Sequence, residues 1–191
     1  MSDHNDNTTT QLTQFHETLT TNKFLFVVFY RGHWCPFCQG YLKTLETLLP
    51  SITTAGGKVL AITAEIGHED AMRASTGYTG TMISDPTNSI AAALKAQGKL
   101  DVAITDNTLT KTKGYEHGMA QPAILIIQQD GTVLYDWAIV PAVMNLGGAK
   151  DRPDLVQVWE NAEAKMEGKK EVHSAYKLQT FGQTIWSKIF G

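Results

Sequence analysis

The chain has 191 residues, of which 42% are hydrophobic and 18% are charged, and its formal net charge is −3. This length and balance are typical of one globular domain, and they exclude a wholly disordered chain. The lack of a basic excess argues against nucleic-acid binding. The longest apolar run, Phe24–Tyr30, is too short to cross a bilayer, which needs about 20 residues.

The start of the chain is polar, with many Thr, Asn and Asp residues and no sign of a basic or apolar secretory signal. We therefore expect a cytoplasmic protein with a flexible N-terminus over residues 1–9 and one domain over residues 10–170. Leu12, Phe15 and Leu19 recur at helical spacing, which predicts a short amphipathic helix at the start of the domain.

Strands and helices then alternate along the chain. Apolar runs of β-favouring residues predict strands at Phe24–Tyr30, Lys58–Ala64, Thr81–Ser84 and Ala123–Gln128. Apolar residues at helical spacing predict helices at Pro36–Leu49, His68–Ser75 and Ser89–Ala96, and another that carries Leu155, Trp159, Ala162 and Met166. A turn at Gln129–Gly131 predicts a hairpin that returns over Thr132–Ala138. The periodicity of Leu100–Lys113 does not decide its structure.

This order predicts an α/β fold with helices on both faces of a mainly parallel sheet, which the closing hairpin makes mixed. Pro36 suits the first turn of its helix, and Pro50 suits the end of that helix. The buried stripe of this helix is predicted to consist of Cys38, Leu42, Leu45 and Leu49.

A Cys-x-x-Cys pair follows the first predicted strand and opens a helix. Cys35 and Cys38 are the only two cysteines, and this context in a cytosolic protein indicates a redox motif. Cys35 lies where unpaired backbone N–H groups and the helix dipole stabilise a thiolate. We therefore expect Cys35 to be the nucleophile. Cys38, one turn later on the buried face, is expected to be the resolving thiol that closes an internal disulfide.

Other interpretations of the pair were weighed against the redox motif. Two inert buried cysteines are one alternative. Haem attachment would need a histidine where Gln39 stands. A zinc site would need two more ligands, and no metal is expected because the candidate histidines are scattered along the sequence, at His33, His68, His117 and His173.

The residues before Cys35 each allow two interpretations. Arg31 either adds positive potential near the thiolate or is a surface charge at the end of the strand. Trp34 either shapes the substrate surface or packs against the domain. For His33, a solvated loop position is favoured over a proton relay.

Two stretches, Val27–Cys38 (VVFYRGHWCPFC) and Gln121–Tyr135 (QPAILIIQQDGTVLY), resemble thioredoxin-fold proteins. More specifically, they are similar to the peroxiredoxin-like branch of the AhpC/TSA family, and the resemblance covers about residues 10–168. It implies a thioredoxin-like fold with a mixed central sheet and an extra β–α unit, for which the separation of Cys35 and Pro122 leaves room.

The resemblance also implies a function. It implies a thiol–disulfide oxidoreductase that reduces disulfides, peroxides or both without a bound cofactor. An external thiol such as thioredoxin or glutathione would then reduce the enzyme. Arg31, Trp34 and Pro36 are expected to support the cysteines. Pro122 is expected to be a cis-proline that faces them, with the backbone beside Gln121 free to pair with an extended substrate. An ordinary trans-proline at a strand start is the alternative.

The sequence departs from the peroxiredoxin pattern at the positions that polarise a peroxide. Those proteins typically carry Thr or Ser three residues before the peroxidatic cysteine and Pro four residues before that, where this chain has Gly32 and Val28. Their arginine near the later strand is also missing, since Gln121 and Pro122 stand there. These departures favour disulfide exchange. Arg152 is a possible substitute cation, although a charge pair at the entry of its helix is favoured.

Two further functions stay open from the sequence. A specialised enzyme acting on a sulfur-containing metabolite would use a pocket within Gln97–Gly118. A partner-binding module with a dispensable thiol pair is indicated by an amphipathic tail over residues 171–191. The tail would dock on its own domain, form a homodimer or, with least support, lie on a membrane, and its apolar stripe is Leu178, Phe181, Ile185 and Ile189.

Overall fold

Strands and helices alternate through most of the protein. A computed structural model describes the backbone of residues 3–177 and the side chains of residues 10–177. The strands are β1 (Phe24–Phe29), β2 (Gly57–Thr63), β3 (Thr81–Ser84), β4 (Ile104–Thr105), β5 (Met119–Ala120), β6 (Ala123–Gln128) and β7 (Val133–Ala138). The helices are α1 (Asp3–Thr21), α2 (Pro36–Thr54), α3 (Glu69–Thr76), α4 (Ser89–Ala96), α5 (Thr108–Thr112) and α6 (Leu155–Met166).

The first helix begins before the predicted start of the domain. α1 begins at Asp3, within the segment that was expected to be flexible, and the domain boundaries near residues 9 and 170 stay predictions. The predicted stripe of the tail lies outside the described residues, at Leu178, Phe181, Ile185 and Ile189. None of the helices within residues 3–177 has the length and hydropathy that a membrane crossing requires.

A five-stranded mixed sheet forms the centre of the domain, in the order β3-β2-β1-β6-β7. The pairs β1–β2 and β2–β3 are parallel, whereas β1–β6 and β6–β7 are antiparallel. The predicted α/β fold with a mixed sheet is therefore confirmed. The sheet is not mainly parallel, because β6 enters beside β1 in the opposite direction and half of the strand pairs are antiparallel.

The strand β1 is buried on both faces and separates two hydrophobic cores. Its alternate side chains point to opposite faces of the sheet. On one face, Phe26 and its neighbours pack with residues of α2 and α6 such as Leu42 and Trp159. On the other, Leu25 belongs to a core that includes Ile90 of α4. Burying each such side chain stabilises the fold by about 1.5–3 kcal/mol.

The helix α2 does not end at Pro50, contrary to the prediction from the sequence. It continues to Thr54 with Pro50 inside it, although an internal proline costs a helix about 3 kcal/mol. Ile52 lies beyond the proline and is fully buried, so the packing of the last turn offsets much of that cost. Leu48 takes a buried position on this helix, whereas Leu49 is only partly buried.

Candidate active site

Three segments meet at one edge of the sheet. β1 and β2 are parallel and end side by side, with Phe29 opposite Ile62. β6 runs antiparallel to β1, so its first residue, Ala123, also lies opposite Phe29. The loop after β1, the loop after β2 and the segment before β6 are therefore brought together, and the Cys-x-x-Cys pair lies on the first of them.

Cys35 lies directly before the first turn of α2. Its backbone is extended, and its carbonyl oxygen accepts hydrogen bonds from the backbone N–H groups of Cys38 and Gln39, both at 3.0 Å. Pro36 occupies the first helical position, where the missing N–H has no intrahelical partner to lose. The sequence thus starts the helix at the cysteine pair.

Both cysteine side chains are buried at the start of α2. Cys35 is 1% exposed and Cys38 is 0% exposed. The Cys38 thiol donates a hydrogen bond to the Cys35 sulfur, and this bond does most to lower the pKa of Cys35 to about 6, against the opposing effect of burial. The backbone N–H of Cys38 and the charges of Arg152 and Arg31 lower it further. Burial raises the pKa of Cys38, so the pair holds a thiolate beside a thiol.

Arg31 is buried beneath the cysteine loop and is held on two sides. Its Nε donates to Oε1 of Gln121 at 2.9 Å, and its Nη2 donates to the carbonyl of Gly147. Gln121 is itself fixed by donating from Nε2 to Oγ1 of Thr105 at 2.8 Å. Arg31 is therefore not a surface charge, and its positive potential acts on Cys35.

Arg152 folds back over the cysteines from the segment before α6. Its Nη2 lies 3.4 Å from Sγ of Cys38, and its Nη1 lies 3.5 Å from the carbonyl of Phe37. Its Nε is buried without a hydrogen-bond partner in the described part of the chain. The favoured explanation from the sequence, a charge pair at the helix entry, was wrong. No local signal in the sequence predicts this position. The chain turns just before the arginine at Asp151, whose φ is 63°.

Pro122 is not the cis-proline that the resemblance implied. All peptide bonds between described residues are trans, so the alternative, a trans-proline before a strand, is the observed one. The backbone N–H of Gln121 donates to the carbonyl of Ala103 at 2.8 Å, and Gln121 is fully buried. The backbone there is not free for a substrate, because the chain leading into β4 already pairs with it.

Trp34 packs beside the loop. Its Nε1 donates to the hydroxyl of Tyr115 at 3.0 Å, and Nζ of Lys113 lies 3.8 Å from the centroid of its ring. The Tyr115 hydroxyl in turn donates to the carbonyl of Arg31 at 2.7 Å. These contacts support the packing interpretation of Trp34, and they tie the loop before Cys35 to the segment after α5.

Gly32 lies where a side chain would collide with this network. A Cβ at Gly32 would lie 2.5 Å from the hydroxyl oxygen of Tyr115 and 2.8 Å from Oε1 of Glu65. Neither Thr nor Ser fits here without moving Tyr115. The departure from the peroxiredoxin pattern at this position therefore has a steric cause.

His33 and His68 lie next to each other in the fold, although the histidines are scattered along the sequence. The backbone N–H and Nδ1 of His33 lie 2.7 and 2.8 Å from the two carboxylate oxygens of Glu65. The ring of His33 stacks on that of His68, with centroids 4.0 Å apart. Glu65 and His68 follow β2, and His33 follows β1. Because these two strands end side by side, the sequence could have predicted that the three residues lie close together.

The segment Gln97–Gly118 borders an open cavity of about 690 Å³. The cavity reaches from α4 to the end of β7, and the residues that line it include Asn88, Asp101 and Val140. Neither cysteine is among the lining residues. A pocket is thus present where the sequence suggested one, but it does not open onto the thiol pair.

Comparison with known proteins gives a family and a fold. The sequence profile of the AhpC/TSA family matches residues 2–136, and no curated protein sequence gives a significant match. A cysteine-to-serine mutant of peroxiredoxin 6 from Arenicola marina is similar with a TM-score of 0.59 at 15% identity, over 86% of this chain and 71% of that chain.

Two mycobacterial structures are similar to a comparable degree. Peroxidoxin BcpB from Mycobacterium tuberculosis has a TM-score of 0.55 at 12% identity, over 84% of this chain and 86% of its own. Mycobacterium bovis AhpC has a TM-score of 0.56 at 15% identity, over 82% of this chain and 76% of its own. At such identities the similarity shows the fold alone, and it confirms the predicted thioredoxin-like architecture of the peroxiredoxin type.

Proposed function

The chain belongs to the AhpC/TSA family of thiol-dependent oxidoreductases, and on that premise we propose that it reduces a small oxidant, first of all a peroxide. Cys35 is the nucleophile and Cys38 the resolving thiol. The observation that carries the proposal is the placement of both cysteines, buried, at the start of α2, with Nη2 of Arg152 3.4 Å from Sγ of Cys38. In this placement, hydrogen bonding from the Cys38 thiol lowers the pKa of Cys35, and the second thiol lies within the first turn of the helix.

The cycle needs two chemical steps and an external reductant. The Cys35 thiolate attacks one peroxide oxygen, an S–O bond forms as the O–O bond breaks, and the departing oxygen takes a proton and leaves as water or an alcohol. Cys35 is then a sulfenic acid, and the Cys38 sulfur attacks it, which forms the disulfide and releases water. A dithiol such as thioredoxin, or glutathione, then reduces the disulfide and is itself oxidised.

The surroundings of Cys35 support a small oxidant. With 1% of its surface exposed, Cys35 is accessible to a molecule the size of hydrogen peroxide more readily than to a protein disulfide. The charges of Arg31 and Arg152 both act at this sulfur. Fixed positive charge in a buried site stabilises the negative charge that develops on the departing oxygen.

Disulfide exchange is the second candidate, and one observation favours it. Gly32 leaves the loop without the hydroxyl that peroxiredoxins typically carry, and a side chain there would collide with Tyr115 and Glu65 unless they moved. In this candidate the Cys35 thiolate attacks a disulfide and releases one thiolate, and Cys38 then displaces the second. The loop before Cys35 would have to open for a large disulfide.

The rate of oxidation distinguishes the two candidates. We expect stopped-flow mixing with hydrogen peroxide to oxidise Cys35 faster than mixing with oxidised glutathione does, and intact mass to show the loss of two hydrogens in the chain. Cys35→Ser should abolish both reactions, and Cys38→Ser should stop at a sulfenic acid or a glutathione adduct. Full activity of Cys35→Ser would reject the proposal, whereas faster glutathione turnover would favour the second candidate.

Arg152 offers a separate test of the electrostatic part of the proposal. Arg152→Gln removes a charge that favours the thiolate and that stabilises the negative charge developing on the departing oxygen, so we expect the second-order rate constant with peroxide to fall about tenfold, the equivalent of about 1.4 kcal/mol. Arg73→Gln is the matched control, because the Arg73 guanidinium bonds to the carbonyl of Tyr78 and does not act on Cys35. Equal rates in the two variants would show that Arg152 does not act on the reaction.

The cellular location, the partners and the oligomeric state of the protein are also proposals. We propose a cytoplasmic location and a reduced thiol partner, with no nucleic-acid or membrane partner. For the tail we keep both options, docking on its own domain and a homodimer. Light scattering on the full chain and on a chain shortened after residue 173 tests the dimer, and a halved mass in the shorter chain supports it.

A further inference from the structure

A second cluster of chemically active side chains lies at the same edge of the sheet as the cysteines but takes no part in the proposed cycle. It consists of His33, Glu65 and His68, and one ligand atom from each lies within 4.8 Å of the others. We propose that these three residues bind one divalent transition-metal ion of the Zn²⁺ type. The site would be separate from the thiols in its ligands and in its chemistry.

The donor set suits such an ion. Two imidazoles and one carboxylate form one of the common zinc-binding sets, with metal–ligand distances of about 2.0–2.2 Å and a fourth position left for water. Tetrahedral ligand atoms at those distances lie about 3.4 Å apart. Nδ1 of His33 and Oε1 of Glu65 are 2.8 Å apart, so these two need only a slight separation. The ligand atom of His68 lies within 4.8 Å of both, so an approach of at most about 1.4 Å completes the set.

Two of the three ligands are positioned by the fold. The Glu65 side chain is 9% exposed, and its Oε2 accepts the backbone N–H of His33 at 2.7 Å. The backbone of Glu65 is fixed as well, because its N–H donates to Oγ1 of Thr63 at 3.1 Å and its carbonyl accepts from Oγ of Ser84 at 2.8 Å. An ion that binds here therefore orders few additional groups, which favours affinity.

His68 is the ligand that must move. Its ring lies face to face with that of His33, at an interplanar angle of 16°, and one ion cannot lie in the planes of two parallel stacked rings. His68 is exposed, and within residues 3–177 its ring makes the stacking contact and no hydrogen bond. A rotation of this side chain alone brings its ring nitrogen toward Glu65. Binding then replaces the stacking contact with a coordinate bond.

A bound ion would join two loops that the backbone leaves separate. His33 lies on the loop between β1 and α2, and Glu65 and His68 lie on the loop between β2 and α3. Because the ion binds only the folded arrangement of these ligands, it should raise the thermal unfolding midpoint, and the rise should grow with the concentration of the ion.

The test removes the thiols, so that its outcome is independent of the redox proposal. In the full chain carrying Cys35→Ala and Cys38→Ala, calorimetric titration with Zn²⁺ should show one ion per chain. His68→Ala in this background should weaken binding at least tenfold. His173→Ala is the matched control, because His173 pairs with the carboxylate of Glu160 without a second histidine, and we expect it to leave the affinity unchanged.

Two further readouts separate binding from a structural effect. His68 is exposed, so the metal-free unfolding midpoint of His68→Ala should equal that of its background. Zn²⁺ should then raise the midpoint in the background but not in His68→Ala, and Co²⁺ should give visible d–d bands that His68→Ala loses. Equal Zn²⁺ affinity, an equal rise in the midpoint or unchanged Co²⁺ bands in His68→Ala would overturn the proposal.

Discussion

At Cys35, hydrogen bonding and burial act on one sulfur in opposite directions. The largest contribution to its low pKa comes from the neighbouring thiol of Cys38, and the backbone N–H at the helix start is a smaller one. The helix start alone predicts the direction of this shift, but its main cause is hydrogen bonding between two side chains, which only the folded pair provides.

This cause gives a prediction for the pH dependence of Cys35. A hydrogen bond to a charged group is worth about 1.5–3 kcal/mol, and one pKa unit corresponds to about 1.4 kcal/mol. Cys38→Ala removes the donor and destabilises the thiolate, so the midpoint of the alkylation rate against pH should rise from about 6 by about one to two units. Iodoacetamide kinetics between pH 4 and 10 measure it. An unchanged midpoint would contradict the assigned cause.

Gly32 gives a second prediction at the scale of one residue. Gly32→Ala forces the new Cβ against Tyr115 and Glu65, and overpacking of this kind costs about 1–3 kcal/mol in the free energy of unfolding. Gly40→Ala is the matched control, since a Cβ at Gly40 meets nothing within 4 Å. In the interior of α2 it should stabilise the protein by about 0.5–1 kcal/mol. Urea unfolding measures both, and equal effects would refute the steric account.

The helix α2 shows how an element is held against its local sequence. It contains two prolines with different consequences. Pro36 opens the helix, and Pro50 lies within it. Leu45 and Ile52 on the same helix are both fully buried. Packing of the buried face therefore keeps the helix continuous where the local rule predicts its end.

The two prolines make a matched pair of substitutions. Pro50→Ala restores a backbone N–H that can bond within the helix, so we expect it to raise the free energy of unfolding by about 1–3 kcal/mol. Pro36→Ala changes a position where no intrahelical bond is missing, and we expect less than about 0.5 kcal/mol. Thermal and urea unfolding compare them, and an equal response at both positions would show that the internal proline is not strained.

At the scale of the whole molecule, β1 connects the two cores. Leu25 and Phe26 are adjacent and fully buried, yet they belong to opposite faces of the sheet. Neither core can lose its packing without disturbing the strand that both share. The protein should therefore unfold as one cooperative unit.

Substitutions on the two faces of β1 test this cooperativity. Leu25→Ala and Phe26→Ala should each lower the free energy of unfolding by about 2–5 kcal/mol, with the same midpoint by far-UV circular dichroism and by tryptophan fluorescence. Leu109→Ala is the control, because Leu109 is 73% exposed, and its effect should stay within about 0.5 kcal/mol. Separate midpoints in either β1 variant would mean that one core melts before the other.

Much of the fold follows from local sequence patterns. The structure has β3, α4 and β6 at the predicted boundaries, because strong apolar runs and helical spacing agree there with the tertiary structure. The segment Leu100–Lys113 gave no prediction. It contains the two-residue strand β4 and the five-residue helix α5, which are too short for a periodicity to develop.

Less of the candidate site than of the fold could be predicted from the sequence. The cysteine pair is local, and its motif located it. The positions of Arg152 and Gln121 depend on contacts across more than 80 residues, for which the sequence holds no local signal. The cluster around Glu65 could be predicted in part, because the strand order alone places the ends of β1 and β2 together.

The placement of both buried cysteines at the start of α2 has a consequence for how the protein withstands an excess of oxidant. In the proposed cycle, a sulfenic acid on Cys35 would have its resolving thiol within the first turn of α2, so we expect the disulfide to close without unwinding of the helix. A second oxidant molecule must arrive before that closure to produce the irreversible sulfinic acid. The protein should thus tolerate a large excess of peroxide, and its working lifetime should depend on how quickly reductant returns the pair to its starting state.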